Sequence, residues 1–178
     1  KKFLSLRKKK YFEVSNQRFD RLASYIKRKI KTTKKPIIAI YFPSNYEINV
    51  LKILKNLKKF KVIFLLPKIQ NNNLLKFVEW KEKDVLLVNK FGIPEPLKKQ
   101  KKNYLPDIVL VPLLAFDKNK NRLGYGKGFY DRYLTKLYKL NNEVEAIGVA
   151  FSFQKYKKIP SSNFDFKLKN IFTEKGFT

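Results

Sequence analysis

An α/β fold of three-layer α/β/α type, with a mostly parallel sheet between helices, is what this 178-residue sequence predicts. Three observations predict it. Short apolar runs of strand length alternate with segments whose apolar residues recur at helical spacing. The first two such runs enclose a helical segment, which makes a β-α-β unit. The apolar content of 44% in a chain of single-domain size is ample for a core.

The elements follow in order. Ser15 stands as an N-cap, and Phe19, Leu22, Ala23, Ile26 and Ile30 recur along one helix face, with Pro36 ending the helix. IIAIYF (37–42), bounded by prolines, is a buried strand. Val50, Leu51, Ile53, Leu54 and Leu57 return to the helical period before KVIFLLP (61–67) gives a second strand. NNN (71–73) marks a turn, and LLKFVEW (74–80) and DVLLV (84–88) are expected as strands covering one edge. FGIPEP (91–96) is rich in Gly and Pro and is expected as a loop. DIVLVP (107–112) is a further buried strand, followed by a long loop, a glycine-rich stretch, a helix to about Leu140 and the strand EAIGVAF (145–151). No repeat or low-complexity linker divides the chain, so one domain over residues 1–178 is expected.

Composition narrows the chemistry. The chain has neither Cys nor His, which excludes disulfides, thiolate or imidazole metal sites, cysteine nucleophiles and Ser-His triads. Acid–base or metal chemistry must rest on carboxylates, lysines or tyrosines. The net charge of +27 invites a nucleic-acid reading, but the pairs and triplets Lys8 to Lys10, Lys34-Lys35, Lys58-Lys59, Lys98-Lys99 and Lys101-Lys102 are scattered along the chain, as on a solvated lysine-rich surface. Anionic small molecules are the better match, and no specific nucleic-acid partner is expected. No apolar run approaches the roughly 18 residues of a membrane span. The basic opening KKFLSLRKKKYFE has no apolar core or cleavage site of a secretory signal, so a soluble cytoplasmic protein is the expectation; a monomer is expected separately.

Residues 122–134, RLGYGKGFYDRYL, hold three of the six glycines, and they should lie at the carboxyl ends of the strands, where open α/β sheets gather ligands. Gly124, Gly126 and Gly128 do not make a P-loop, and Phe129 stands where a dinucleotide fingerprint has glycine. Alternating glycines do let a ligand approach the backbone, and a helix starting near Gly128 points unpaired N–H groups at it. Phosphate suits both features. Arg122 and Lys127 would supply a bidentate donor and a point charge, and Asp131 a carboxylate able to hold Mg²⁺ beside a polyphosphate. A tight turn with solvated cations and an Asp131 that serves only the helix N-terminus is the other reading of the same residues.

The longer stretch LVPLLAFDKNKNRLGYGKGFYDRYL (110–134) closely resembles the signature of the 5-formyltetrahydrofolate cyclo-ligase family, also called 5,10-methenyltetrahydrofolate synthetase. NKFGIPEP (89–96), NYEINV (45–50) and DFKLKNIFTEKGF (165–177) resemble further family segments, so the similarity runs along essentially the whole chain. The resemblance implies a CoA-transferase-like α/β/α fold. It also implies an ATP- and Mg²⁺-dependent ring closure, in which 5-formyltetrahydrofolate becomes 5,10-methenyltetrahydrofolate with release of ADP and phosphate. A formamide oxygen is a poor leaving group. Phosphorylating it gives an activated iminium phosphate that N10 attacks, a task of positioning and charge neutralisation that needs no His or Cys.

Carried onto this sequence, the family's nucleotide loop falls on Arg122, Leu123, Gly124, Tyr125, Gly126, Lys127, Gly128, Phe129 and Tyr130, with Arg122, Lys127 and Tyr130 implied in catalysis. Tyr125, Gly126, Lys127, Gly128 and Phe129 would also border the folate's reacting end. Asp131 matches a magnesium-binding aspartate and Asp165 a second, in a stretch where the family often has His-Asp and this chain has Phe164-Asp165. Glu47 matches the folate-binding glutamate, apt for the parallel N–H donors of a pterin's amino-pyrimidinone edge. Phe42 corresponds to an apolar substrate contact and reads equally as a core aromatic. Two departures stand out. Arg7 fits the family's N-terminal arginine near the ATP phosphates, but Phe3 occupies the companion lysine position and Lys2 is the nearest cation. Some members carry Arg where Tyr125 stands. Trp80 is read as core or stacking, and Lys68 as solvated or facing the substrate's glutamate tail. On residues alone, a sugar-phosphate isomerase or acyl transferase on a related scaffold, or a basic binding protein, would want some of the same features.

Overall fold

The computed structural model describes residues 2–70, 74–98 and 102–178. The turn expected at 71–73, and Lys99 and Lys101 of the lysine clusters, lie outside the described residues. The chain opens with helix α1 (Lys2–Lys10), for which the sequence carries no apolar period. Its cations Arg7 to Lys10 fill the last turn, where a helix dipole favours positive charge. A 3₁₀ turn at Asn16–Phe19 leads into α2 (Asp20–Ile30). Ser15 does occupy the position before that turn, but its side chain makes no capping bond. α2 stops at Ile30, six residues before Pro36, whose carbonyl instead accepts from Ile63 N at 2.8 Å and starts the sheet ladder.

β1 (Ile37–Ala39) is followed by a 3₁₀ turn, α3 (Ile53–Leu57) and β2 (Ile63–Ile69). β3 (Leu75–Glu79) pairs antiparallel with β2 and forms one edge. β4 (Leu86–Val88) does not join that edge. It pairs with β5 (Pro94–Pro96) in a separate antiparallel hairpin, so the expected loop at 91–96 is half strand. Prolines survive there for a geometric reason. Asn89 N bonds Ile93 O and Leu97 N bonds Val85 O, so Pro94 and Pro96 fall opposite Val88 and Leu86 at positions whose nitrogens point away from the partner strand.

β6 (Ile108–Pro112) is followed by a small hairpin of β7 (Ala115–Phe116) and β8 (Arg122–Leu123), then α4 (Phe129–Leu140), β9 (Glu145–Val149), β10 (Asn170–Thr173) and β11 (Gly176–Phe177). The main sheet runs β11-β10-β9-β6-β1-β2-β3. β10, β9, β6, β1 and β2 are parallel, and only the edge strands β11 and β3 run the other way.

Alternation along these strands fills two cores. Ile38, Ile40, Ile108, Leu110 and Ile147 pack with Leu22, Ile26 and Ile30 of α2 and with Ile53 and Leu57 of α3. Ala39, Val109, Val111 and Ala146 face the other way, toward Leu134 and Leu137 of α4. Both faces are therefore buried, which is why the strands read as unbroken apolar runs. α2 has 11 residues, too few to hold a helix in water on its own. Burying its aliphatic side chains contributes about 1.5–3 kcal/mol each, and this packing fixes it. Trp80 is in the first core, the structural one of its two readings. Among the described residues no helix is long and apolar enough to cross a membrane.

The chain moves outward from β1 to β2 and returns on the opposite side of β1 with β6. Loops leaving the carboxyl ends of β1 and β6 therefore diverge at a topological switch point and leave a crevice between them.

Candidate functional site

That crevice is a cavity of about 520 Å³. Phe42 and Glu47 enter it from the loop after β1, Pro67 from β2, Pro112 from the end of β6, and residues 122–131 from the glycine-rich stretch. Every site residue expected from that stretch lines it, as do both proposed metal ligands, Asp131 and Asp165. Lys2 and Arg7 do not.

The glycine loop has the backbone its composition requires. Gly126 and Gly128 sit at φ +80° and +62°, a region that side chains rarely adopt. Gly128 is the residue before α4, so the amides at the start of that helix open on the cavity rim. Lys127 is exposed and has no hydrogen bond or ion pair with a described residue.

Arg122 is nearly buried and donates from Nη2 to Asp131 Oδ1 at 2.5 Å. The same oxygen accepts from Phe166 N at 3.1 Å, leaving Oδ2 of Asp131 open. Asp165 is exposed and accepts from Ser162 N at 2.7 Å and Ser162 Oγ at 3.0 Å, both at Oδ2. Arg122 Nε and the Tyr130 hydroxyl are buried with no hydrogen-bond partner, and both belong to the cavity wall. Burial, with the nearby Glu47 charge, pushes the Tyr130 hydroxyl far above the ordinary tyrosine range, so it stays a neutral donor.

Glu47 is buried at 7% exposure. Its Oε1 accepts from the Tyr125 hydroxyl at 2.9 Å, and its Oε2 from Ser44 N at 3.0 Å. Burial raises its pKa, opposed by Arg7 and these hydrogen bonds. The Ser44 hydroxyl also donates to Oε2 at 3.4 Å, so the open acceptor capacity of the carboxylate lies mainly on Oε1. Arg7, 1% exposed, stands behind this group. It donates from Nε to Asn45 O at 2.9 Å, from Nη1 to Leu113 O at 3.2 Å and from Nη2 to the Tyr125 hydroxyl. It thus meets the site through Asn45, Tyr125 and, at 3.9 Å, Glu47, and does not itself line the cavity. Lys2 donates to the Tyr156 hydroxyl at 3.4 Å, apart from the cavity lining. Phe42 lines the cavity and packs on the first core.

Lys68 is half-buried. Its Nζ donates to the Pro96 and Leu97 carbonyls at 2.8 and 3.3 Å, tying β2 to the β4–β5 hairpin. Among the wall residues that reasoning from sequence does not place at the site is one carboxylate, Glu95, buried within the FGIPEP segment. The signal that could have found it is an acidic residue between two prolines in a chain with only 14 acidic residues.

A profile of the 5-formyltetrahydrofolate cyclo-ligase family matches residues 1–174. The chain belongs to that family. Membership makes it a ligase of folate one-carbon metabolism and agrees with the resemblance seen in residues 110–134. Among the relatives, a 5-formyltetrahydrofolate cyclo-ligase of Haemophilus influenzae is 34% identical over 140 residues, 75% of this chain and 73% of that protein. The NMR structure of Aquifex aeolicus 5,10-methenyltetrahydrofolate synthetase superimposes with a TM-score of 0.74 at 28% identity, covering 99% of this chain and 88% of the other. The 5,10-methenyltetrahydrofolate synthetase of Mycoplasma pneumoniae shares the fold, with a TM-score of 0.69 at 23% identity over 97% of this chain and 94% of the other.

Proposed function

We propose that this member of the family closes the ring of 5-formyltetrahydrofolate to give 5,10-methenyltetrahydrofolate, with ATP as co-substrate and Mg²⁺ as its counter-ion. One observation carries the reading. Two buried donors, Arg122 Nε and the Tyr130 hydroxyl, lack partners on the wall of the cavity that the glycine loop borders. Buried donors left unpaired cost about 1–3 kcal/mol each, a cost that an oxygen-rich ligand such as a phosphoryl group would offset.

In this reading the amides from Gly124 to Gly128 and the free ammonium of Lys127 receive the phosphates, and Arg122 meets the oxygens of the transferring group. Asp131, with an open Oδ2, and Asp165, lining the same cavity, suit Mg²⁺, which commonly takes one or two carboxylates and completes its shell with phosphate and water. When bound, the ion would neutralise phosphate charge. Glu47 holds the pterin's amino-pyrimidinone edge through its remaining lone pairs.

The reaction balances without a protein nucleophile. The formyl oxygen takes the γ-phosphoryl and ADP leaves. N10 then attacks the formyl carbon, the carbon–oxygen bond breaks, phosphate departs, and the proton on N10 passes to solvent. The Tyr130 hydroxyl, held neutral, donates a hydrogen bond where oxygen charge develops. The test is to mix protein, MgATP and 5-formyltetrahydrofolate and follow the near-ultraviolet absorbance of the methenyl product. Absorbance that rises only with ATP present is expected; folded protein that gives none would remove the reading.

A further inference from the structure

Two carboxylates are buried in the cavity wall, and the proposed reaction uses one of them. The other, Glu95, lies in β5 between two prolines and is 8% exposed. Its Oε1 is fully used, accepting from Ile69 N at 2.8 Å and from Asn89 Nδ2 at 2.7 Å. Neither bond reaches Oε2, and no described cation pairs with the carboxylate. Lys68, the nearest candidate along β2, spends its ammonium on the carbonyls of residues 96–98. Phe42, Ile69, Leu75, Phe91 and Ile93 line the same cavity, while its cations Arg122 and Lys127 belong to the glycine loop.

A carboxylate oxygen left without a partner on the cavity wall is an acceptor that a ligand donor can meet. The folate's own glutamyl carboxylates and the phosphates of the nucleotide are anions and would be repelled. What remains on the substrate is the ring. A carboxylate on the amino-pyrimidinone edge uses N3–H and one amino hydrogen. The second amino hydrogen and N8–H lie along the adjacent edge and still need an acceptor.

We infer that Glu95 is a specificity-determining residue for the folate: its Oε2 accepts a ring N–H, so that two carboxylates, Glu47 and Glu95, read two edges of one pterin. The inference rests on the folate reading above and adds a contact to it. Asn89 and Ile69 N are positioning groups, because they hold Oε1 and leave Oε2 without a partner. The arrangement favours a heterocycle that presents an N–H donor to Oε2 and disfavours one with an acceptor in that donor's place.

Glu95→Gln separates the two oxygens. The amide oxygen keeps the inner donors Ile69 N and Asn89, and the amide NH₂ is left facing a ligand donor. Equilibrium binding of 5-formyltetrahydrofolate to the wild-type chain, Glu95→Gln and Asn89→Ala, with MgATP binding measured in parallel, tests this. Glu95→Gln should weaken the folate about 30-fold or more, as loss of a charge-assisted bond does, and change MgATP affinity less than about twofold. Asn89→Ala removes the bond to Glu95 Oε1 together with the turn bonds that Asn89 Oδ1 accepts from Phe91 N and Ile93 N, yet it leaves Oε2 in place and should cost less than about threefold. Equal folate affinity in Glu95→Gln and wild type overturns the inference, and so does an Asn89→Ala loss as large as that of Glu95→Gln, which would mark Glu95 as purely structural. A structure of the wild-type folate complex is a second test that needs no variant. A ring nitrogen within about 3.2 Å of Oε2 is expected, and none within about 4 Å sinks the contact. A wild-type chain that binds no folate removes the proposed function, and this inference with it.

Discussion

Tyr125 donates its hydroxyl to Glu47 Oε1 at 2.9 Å, across 78 positions of sequence, and the same hydroxyl accepts from Arg7. The glycine loop is thereby fastened to the carboxylate assigned to the pterin, so loop position and folate recognition share one atom. Tyr125→Phe breaks the fastening but keeps the ring. Folate affinity is expected to fall about tenfold, with a stability loss of about 1–3 kcal/mol from the unsatisfied Glu47 and Arg7 groups. Denaturant melts and folate titrations check both numbers.

Glu47 links the site to pH. Burial raises its carboxyl above the ordinary range, so the folded state favours the protonated form. The stability it contributes is complete below the unfolded value of about 4.3 and is lost as pH rises through the raised folded value. Folate binding, which needs the carboxylate, should climb over the same window. Glu47→Gln should flatten both trends. Melting temperatures and folate dissociation constants between pH 4 and 8 give the comparison, and parallel slopes for wild type and variant would sink the assignment.

Lys127 offers the cleanest separation of function from folding. Its side chain is exposed and has no described partner, so Lys127→Ala should leave the melting temperature unchanged. Turnover is expected to fall about 10²–10³-fold, the usual cost of one preorganised donor. Near-normal turnover would take the lysine out of the reaction.

Arg122 and Asp131 form a pair at 2.5 Å that also holds Phe166 N. Asp131→Asn keeps an oxygen for both donors and removes the charge. The expectation is little change in stability, a turnover loss of about 100-fold or more, and weaker Mg²⁺ dependence of nucleotide binding, read by calorimetry with and without the ion.

Gly148 tests the sheet rather than the site. A Cβ there would lie 2.7 Å from Leu168 Cδ1 and 2.8 Å from Leu113 Cδ2. Gly148→Ala should cost about 1–3 kcal/mol through overpacking and reduce activity only in proportion to folded protein. Thermal denaturation gives the first quantity and specific activity the second.

The parallel core and the glycine loop are legible because each depends on local pattern. Unbroken apolar runs bounded by prolines mark strands covered on both faces, and alternating glycines mark a backbone freed for a ligand. The hairpin β4–β5 is not legible, because prolines ordinarily break strands and are admitted here only by the register of the pairing. Helix α1 escapes for a related reason. Five of its nine residues are basic and its apolar residues follow no helical period, and it is held by the burial of Arg7 and by an edge-on contact of Phe3 with Tyr156.

Fold class, family and the composition of the phosphate-binding candidate can be read from the chain alone, since these reside in short-range pattern and contiguous motif. Which groups are already engaged emerges only on folding. Arg7 reads as a phosphate ligand and is bound up in Asn45, Leu113 and Tyr125; Lys68 reads as a surface cation and ties down a hairpin; Glu95 carries no motif role of its own and faces the cavity. The physical reason is that a charged side chain's role follows from its partners and its burial, and both are set by residues distant along the chain.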